Sequence, residues 1–360
     1  MQTQTHTHHL QLVAGPCSAE SEAQITACAQ ALRDIGGLVF RAGLWKPRTT
    51  PGTFQGVGEK GIPWLLRAER ETGLMAATEV ATPEHLRLCL DAGLRCFWIG
   101  ARTTANPIMV QELADLTASR PSAVSRLYVK NPVNPDIELW IGAIERFRKA
   151  GLTDIAAVHR GFSTTQAGEY RNAPLWSIPI ELRRRMPDLP ILCDASHIAG
   201  KRALIPGLAR QAVQLGFDGL MLEVHPDPET ALSDAQQQLT PNEYHRLIAS
   251  IDIPTQALPD RELTVLRQQI DEIDAALWQL VLERQQAASR IGIYKRRKGL
   301  PVLQTERYAK QLEARLRWAR EHGLPPETAR QIMQALHEAA VLKQLTESLP
   351  SPLLVRKNPD

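Results

Sequence analysis

The sequence predicts a parallel (β/α)₈ TIM barrel followed by an all-α helical domain. Eight short apolar segments alternate with helix-like segments within about 240 residues, close to the length typical of this barrel. The region after them is poor in glycine and has apolar residues every three or four positions, which is typical of helices. The chain of 360 residues is 43% apolar and 22% charged, which excludes a disordered chain.

Continuous apolar strands that alternate with helices indicate a parallel sheet covered by helices. The predicted strands are 12–18, 38–43, 74–80, 95–101, 126–131, 154–161, 190–197 and 219–225. Helix starts are marked by a capping residue followed by proline, as at Thr82 and Asn106. The alternative is an open doubly wound sheet, which usually has a G-x-G-x-x-G turn after its first strand. The sequence there is GPCSAES, which favours the barrel.

Composition predicts the domain boundaries and the compartment. We expect a disordered start (1–11), the barrel (12–251), a proline-containing linker (252–260), the helical domain (261–349) and a tail (350–360). No apolar run reaches about 18 residues and no signal peptide is present, so we expect no membrane association. Five irregularly spaced cysteines predict the reducing cytoplasm, and a net charge of +3 is too small to indicate nucleic acid.

Each predicted strand is apolar at its start and reactive at or just beyond its finish. In a barrel these ends converge on one face, where active sites lie. We therefore expect an active site among the eight strand-end residues, which are Cys17, Arg41, Glu79, Arg102, Lys130, Arg160, His197 and Glu223.

Four of the side chains near this face predict a metal site. Cys17, His197 and Glu223 end strands 1, 7 and 8, which barrel closure makes neighbours, and Asp234 follows shortly after. Thiolate, imidazole and carboxylate suit one divalent transition metal, and Mn²⁺, Fe²⁺, Co²⁺ and Zn²⁺ all tolerate this set. Two alternatives stay open: Cys17 as a small buried hydrophobe and His197 as a packed imidazole.

Cations around the same face predict anionic substrates, because converging positive charges repel one another unless anions fill the site. The loop KPRTT (46–50) combines a lysine, a forked guanidinium donor and hydroxyls, which suits a phosphate group. A solvated loop is the alternative. The cations are Arg41, Lys46, Arg48, Arg102, Lys130 and Arg160.

The motifs GPCS (15–18), FRAGLWKPRTTPGTFQG (40–56), IGART (99–103), CDASH (193–197) and LEVHPDPETALSD (222–234) resemble 3-deoxy-D-arabino-heptulosonate 7-phosphate (DAHP) synthase of the type I beta-like group. The resemblance implies condensation of phosphoenolpyruvate with erythrose 4-phosphate. It implies metal binding by Cys17, His197, Glu223 and Asp234. It assigns the phosphate of phosphoenolpyruvate to Arg102, Lys130 and Arg160, its carboxylate region to Lys46, and the sugar phosphate to Arg48 and Thr49. We also expect Arg41 to bind phosphoenolpyruvate and Lys46 to deliver a proton to the new alkoxide.

This barrel departs from the family pattern at Asn131, where a glycine is expected soon after the lysine. Glu79 is expected either to orient water or to pair with a neighbouring cation. A related enzyme that condenses phosphoenolpyruvate with another phosphorylated sugar remains an alternative.

The C-terminal region predicts helices at 262–298, 304–322 and 326–349. The first would be about 55 Å long, too long for so small a domain to cover, so we expect a homo-oligomer of at least two chains. Arg284 occupies a seam position that requires an apolar residue, and Lys295 lies on the same face. A buried arginine must be paired or bind an anion. Arg267 points elsewhere and would serve a partner chain. A polar residue that fixes coiled-coil register is the alternative for Arg284.

Residues 262–348 resemble the all-helical chorismate mutase family, an intertwined dimer. The resemblance implies binding of chorismate and prephenate by Arg267, Arg284, Lys295, Arg307 and Gln344. Three positions depart from that family's pattern: Tyr308 replaces a Glu, Gln304 an Asp and Ala340 a Ser. The alternatives are a regulatory module with weak mutase activity, or a coiled coil that binds nucleic acid or a partner. Sparse aromatics and the lack of a long basic stripe argue against nucleic acid.

The fusion predicts a bifunctional enzyme in which the helical domain senses the pathway's product. About eleven residues precede the first predicted strand, too few for a regulatory domain at that end. We therefore expect prephenate to inhibit the barrel through the helical domain. Chorismate and an aromatic amino acid remain alternative inhibitors.

Overall fold

The computed structural model describes residues 10–46, 52, 54–120, 122–163, 168–252 and 261–348. Its contacts divide the chain into two compact units, with the division between residues 255 and 256. The predicted start, linker and tail lie almost entirely outside the described residues. At Gln11 the expected disordered start is wrong, because Gln11 already begins the first strand and donates its N–H to the Asp218 carbonyl at 2.9 Å.

The first unit is a closed parallel barrel in which each strand pairs with the next and the eighth pairs with the first. The predicted fold class is therefore confirmed. The strands are β1 (Gln11–Gly15), β2 (Val39–Arg41), β3 (Met75–Glu79), β4 (Cys96–Ile99), β5 (Arg126–Lys130), β6 (Ile155–His159), β7 (Ile191–Asp194) and β8 (Gly219–Glu223).

All eight predicted strands extend past the observed carboxyl ends, and the difference changes the site at β7 and β4. β7 ends at Asp194, whose side chain accepts the His197 N–H and so starts the next helix. β4 ends at Ile99, and Arg102 lies on a short helix after Gly100. His197 and Arg102 are therefore presented from helical turns above the barrel and not from strands.

Helices surround the barrel, and the predicted capping at Thr82 and Asn106 is confirmed, since each side chain accepts a backbone N–H of the first turn. They are α1 (Glu22–Leu32), α2 (Ile62–Thr72), α3 (Pro83–Ala92), α4 (Ala101–Thr104), α5 (Pro107–Ser119), α6 (Ile137–Lys149), α7 (Ser177–Arg185), α8 (Ala195–Ala199), α9 (Ile205–Gln214) and α10 (Pro241–Ala249). Short 3₁₀ turns are Gly58–Gly61, Arg202–Leu204, Pro228–Thr230 and Ala235–Gln237.

The barrel has two apolar layers. The larger lies between the strands and the helices. The smaller fills the barrel interior and consists of Val13, Val39, Ala77, Cys96, Trp98, Tyr128, Ala156, Val158, Leu192 and Met221. Because side chains fill the interior, a ligand can be bound only above them, at the face where the strands end.

The second unit consists of α11 (Arg261–Lys298), α12 (Thr305–Glu321) and α13 (Pro326–Ser348). The predicted helix bounds agree to within one residue at each end. α13 packs against both other helices. It approaches α11 so closely at Gly292 that an added Cβ would lie 2.9 Å from the Gln344 Cα. Among the described helices, none is long and apolar enough to span a membrane.

Candidate active sites

Three of the four predicted metal ligands lie together at the carboxyl end of the barrel. Donor atoms of Cys17, Glu223 and Asp234 all lie within 4.8 Å of one another, and Cys17 Sγ is 3.1 Å from Asp234 Oδ2. Cys17 follows β1, Glu223 ends β8 and Asp234 lies on the loop after β8. The fourth residue borders this group, since His197 Nε2 is 3.7 Å from Glu223 Oε1.

Asp234 is presented by a loop that is tied to the loop after β1. The backbone of Asp234 is left-handed, with φ of 49°, which is uncommon for a residue other than glycine. The Cys17 N–H donates to Gln238 Oε1 at 3.0 Å, and the Ser18 and Ser233 hydroxyls are 2.5 Å apart. These bonds place Asp234 beside Cys17, and sequence reasoning missed them.

Burial favours the neutral forms of both Cys17 and His197. Burial raises the pKa of the Cys17 thiol. Burial also lowers the pKa of His197, although Asp194 and Glu223 oppose that shift, so the imidazole is neutral near pH 7. Its Nδ1 lies 2.8 Å from Asp194 Oδ2, which leaves Nε2 facing Glu223. A neutral imidazole oriented by a carboxylate is the form that binds metals.

Asp194 is a site residue that sequence reasoning missed. It is fully buried at the end of β7 and accepts a hydrogen bond from Lys130 Nζ at 2.7 Å. Burial disfavours its charged form, but His197 and Lys130 outweigh burial and hold its pKa well below the usual range. The sequence feature that could have revealed Asp194 is its place as the one acidic residue in the apolar segment PILCDASH.

Two of the predicted cations, Arg41 and Lys130, form a buried cation wall beside this cluster, whereas Lys46 and Arg160 are half-buried and Arg102 is exposed. Arg41 is 1% exposed and donates from Nη2 to Glu223 Oε1 at 3.1 Å. Among the residues that the structure describes, its Nε and Nη1 have no hydrogen-bond partner. Burial lowers the pKa of Arg160 to about 10; Asp194 opposes this, and Arg171 and Arg102 add to it. Clustered cations with unsatisfied donors indicate a site that an anion fills.

The loop around Asn131, where the family pattern is broken, is well connected. Asn131 is buried and donates from Nδ2 to the carbonyls of Pro132 and Gly161, at 2.8 and 2.9 Å. Its Oδ1 accepts the Arg160 N–H at 2.7 Å. The side chain therefore joins the loops after β5 and β6 and helps to position Arg160.

Lys46 is the one residue of the predicted phosphate loop (46–50) that the structure describes. Its Nζ lies 2.8 Å from Cys17 Sγ, and its backbone N–H donates to the Gln55 carbonyl at 2.8 Å. Arg48 and Thr49, predicted to bind the sugar phosphate, lie outside the described residues. Glu79 accepts a hydrogen bond from Trp98 Nε1 at 3.0 Å, a contact that neither of its predicted roles includes.

A second cluster lies in the helical unit. A pocket of about 220 Å³ brings together four of the five residues predicted to bind chorismate, namely Arg284, Lys295, Arg307 and Gln344. Arg267 lies outside this pocket, on the exposed half of α11. Arg284 Nη1 donates to the Leu336 carbonyl at 2.6 Å, and Lys295 Nζ donates to the Val302 carbonyl at 2.6 Å.

The helical pocket favours anions. Burial and the neighbouring Arg307 lower the pKa of Lys295. No carboxylate is among its described lining residues. The three departures from the family pattern, Gln304, Tyr308 and Ala340, also line it. Tyr308 stacks on His337, with ring centroids 4.0 Å apart, and sequence reasoning missed His337.

The closed barrel carries buried cations and metal-binding side-chain types at its carboxyl face. The helical unit has a cationic pocket of its own. The chain is therefore a protein with two candidate active sites. The chain belongs to the DAHP synthetase I family, whose model matches residues 4–255. Residues 266–345 match the model of chorismate mutase type II. The recognition of both families from sequence motifs is confirmed.

Individual relatives match the barrel. A phospho-2-dehydro-3-deoxyheptonate aldolase of Thermotoga maritima is 33% identical over 228 residues, which cover 63% of this chain and 64% of that protein. The chain thus spans slightly less than two thirds of that relative. A 2-dehydro-3-deoxyphosphooctonate aldolase of Nitratidesulfovibrio vulgaris is 29% identical, over 62% of this chain and 84% of its own. The crystal structure of a Thermotoga maritima DAHP synthase superposes with a TM-score of 0.60 at 31% identity, covering 68% of each chain.

Proposed function

We propose that the barrel condenses phosphoenolpyruvate with erythrose 4-phosphate to give DAHP and inorganic phosphate. The observation that carries the proposal is the buried cation wall with unpartnered donors on Arg41, beside the cluster of Cys17, Glu223 and Asp234. Membership of the DAHP synthetase I family and the printed name of the Thermotoga maritima relative support it.

We infer that one divalent transition metal is held by Cys17, His197, Glu223 and Asp234. The donor set fits such an ion, because it combines a thiol, a neutral imidazole and two carboxylates. The ion would supply Lewis-acid polarisation of the aldehyde oxygen. Mn²⁺, Fe²⁺, Co²⁺ and Zn²⁺ all suit these ligands.

The residues of the chain then bind and protonate the reactants. Arg102, Lys130 and Arg160 hold the phosphate of phosphoenolpyruvate, with Arg41 beside them. Lys46 contacts its carboxylate region, and Arg48 and Thr49 hold the sugar phosphate. Carbon 3 of phosphoenolpyruvate bonds to the aldehyde carbon, and Lys46 delivers a proton to the new alkoxide. Water adds at carbon 2, and inorganic phosphate leaves as its C–O bond breaks.

The test is phosphate release by the full chain with each divalent metal in turn. We expect release to require both phosphoenolpyruvate and erythrose 4-phosphate. The Nitratidesulfovibrio vulgaris relative favours a second candidate, in which another phosphorylated sugar is the acceptor. Arabinose 5-phosphate tests it, and a higher kcat/KM with that sugar would replace the first proposal.

We propose that the helical unit converts chorismate to prephenate. Arg284 and Arg307 hold the two carboxylates, and Lys295 and Gln344 stabilise the ether oxygen as its bond breaks. The rearrangement requires a compact conformer and preorganised charge, with no covalent catalyst. The cationic pocket that contains these four residues supports this role. The test is prephenate formation by the full chain; binding of prephenate without turnover would favour the regulatory module instead.

We propose that a second copy of the chain covers α11. Every side chain from Leu263 to Leu280 is exposed within one chain, and the apolar stripe on this half consists of Leu263, Leu266, Ile270, Ile273, Leu277 and Leu280. An apolar stripe of this length requires a partner. Arg267 lies on the same half and would complete the pocket of the other copy. The proposal includes feedback, in which prephenate bound by the helical unit inhibits the barrel.

A further inference from the structure

A tryptophan lies directly beneath the cation wall of the barrel. Trp98 is on β4, points into the barrel interior and is fully buried. The guanidinium carbon of Arg41 lies 4.7 Å from the centroid of the indole ring, and Lys130 Nζ lies 5.8 Å from it. Both cations are within the range in which the negative face of an aromatic ring attracts positive charge.

The indole also fixes the nearest carboxylate. Trp98 Nε1 donates to Glu79 Oε2 at 3.0 Å. On the other side of that carboxylate, a Cβ added at Gly100 would lie 2.1 Å from Glu79 Oε1. Glu79 is therefore held between an indole N–H and a glycine that has no room for a side chain.

Arg41 depends on this support because its own hydrogen bonds fix only one end of the guanidinium. Nη2 reaches Glu223, whereas Nε and Nη1 have no partner among the described residues. A buried guanidinium with two unused donor positions keeps its orientation only if something else packs against its flat face. The indole supplies that face.

We propose that Trp98 is a positioning residue for phosphoenolpyruvate. Its ring orients Arg41 so that Nε and Nη1 face the ligand's anionic group, and its N–H keeps Glu79 from pairing with Arg41 in place of the ligand. The inference rests on the proposed binding of phosphoenolpyruvate at this face. Trp98 itself does not touch the ligand.

The test compares Trp98→Leu and Trp98→Phe with the wild type in the full chain. Removal of the ring face in Trp98→Leu is expected to weaken phosphoenolpyruvate binding about tenfold by titration calorimetry. Trp98→Phe keeps a ring but loses the N–H, so we expect a smaller loss in the same direction. Both variants should raise the KM for phosphoenolpyruvate, with kcat and the KM for erythrose 4-phosphate nearly unchanged.

Trp140→Phe is the matched control. Trp140 is equally buried and also donates its indole N–H, to the Val129 carbonyl at 3.0 Å, but it lies on α6, outside the barrel interior. We expect it to lower stability without changing the Kd for phosphoenolpyruvate.

The outcomes are distinct. A Trp98→Phe protein that binds as tightly as wild type, or a Trp140→Phe protein that loses as much affinity, overturns the role of Trp98. Reduced kcat with an unchanged Kd would show a merely structural role and overturn it as well. A wild-type protein that binds no phosphoenolpyruvate overturns both this inference and the proposed barrel activity.

Discussion

The barrel and the helical unit differ in how much of each candidate site one chain supplies. In the barrel, the cations lie beside buried carboxylates of the same chain: Arg41 pairs with Glu223, and Lys130 with Asp194. In the helical unit, the described pocket lining contains no carboxylate, and Arg267 lies away from the pocket on the exposed half of α11. The two paired barrel cations thus have carboxylate partners within one chain, whereas the described lining of the helical pocket supplies none.

The difference follows from the geometry of the two folds. A closed barrel has no free edge, so its strand ends converge on one face within one chain. α11 has 38 residues and is about 57 Å long, more than two shorter helices can cover. We therefore expect the exposed apolar half of α11 to be covered by a second copy of the chain.

The largest expected effect is the complete loss of one activity with no change in the other. Replacing Cys17 with Ala, or removing metal with a chelator, is expected to abolish DAHP formation and leave prephenate formation unchanged, because the proposed metal ligands all belong to the barrel. Cys28→Ala is the matched control, since Cys28 is a buried cysteine outside the cluster. Both activities are assayed on the same preparations, and equal loss of both in Cys17→Ala would contradict the separation.

The reciprocal change affects the helical pocket. Arg284→Ala is expected to lower mutase turnover on the order of a hundredfold, because a carboxylate loses the donor that holds the compact conformer. Helicity by circular dichroism and DAHP formation should stay at the wild-type level. Arg290, an exposed arginine on the same helix, provides the control variant Arg290→Ala. Near-normal turnover in Arg284→Ala would make Arg284 a structural seam residue.

Coupling between the two units predicts a smaller effect. Prephenate is expected to inhibit DAHP formation through a coupling free energy on the order of 1–3 kcal/mol. A chain that ends near Ser250 should escape this inhibition. The measurement is the initial rate of phosphate release at increasing prephenate. A full chain that ignores saturating prephenate would show that the fusion has another purpose, such as mutual stabilisation.

The smallest expected effect is on the pH profile of the mutase. Lys295 is charged below its pKa, and burial together with Arg307 lowers that pKa. The charge is therefore lost at a lower pH than for an ordinary lysine, so kcat/KM for chorismate should fall on the alkaline side. Lys295→Arg should extend activity to higher pH, because a guanidinium stays protonated. A wild-type profile that stays flat up to about pH 10.4, the ordinary lysine value, would contradict this.

Sequence patterns predicted the elements well because periodicity and capping are local. Apolar runs marked the strands, and barrel closure explained why Cys17 and Glu223 meet although they are distant in sequence. What was missed depends on contacts between distant side chains. The pairing of Asp194 with Lys130, 64 residues away in the chain, and the position of Trp98 beneath Arg41 are such contacts. Neither contact has a spacing that a sequence shows.

The residues that follow the first and seventh strands show which details of the site the sequence patterns did not predict. The reactive residues were identified, but His197 stands on α8 because Asp194 caps that helix. The hydrogen bond between the Ser18 and Ser233 hydroxyls, next to the left-handed turn at Asp234, joins loops that lie far apart in the chain. The roles assigned to these residues stay predictions until they are tested.

The central claim is that the barrel site is complete in one chain and the helical pocket is shared between two. Coexpression of Arg267→Ala with Arg284→Ala tests it most directly. If Arg267 serves the partner's pocket, each variant alone lacks mutase activity, but a mixed dimer holds one intact pocket and regains prephenate formation. Coexpression of Cys17→Ala with Arg160→Ala should restore no DAHP formation. Mutase pairs that fail to complement, or barrel pairs that do complement, would contradict the account.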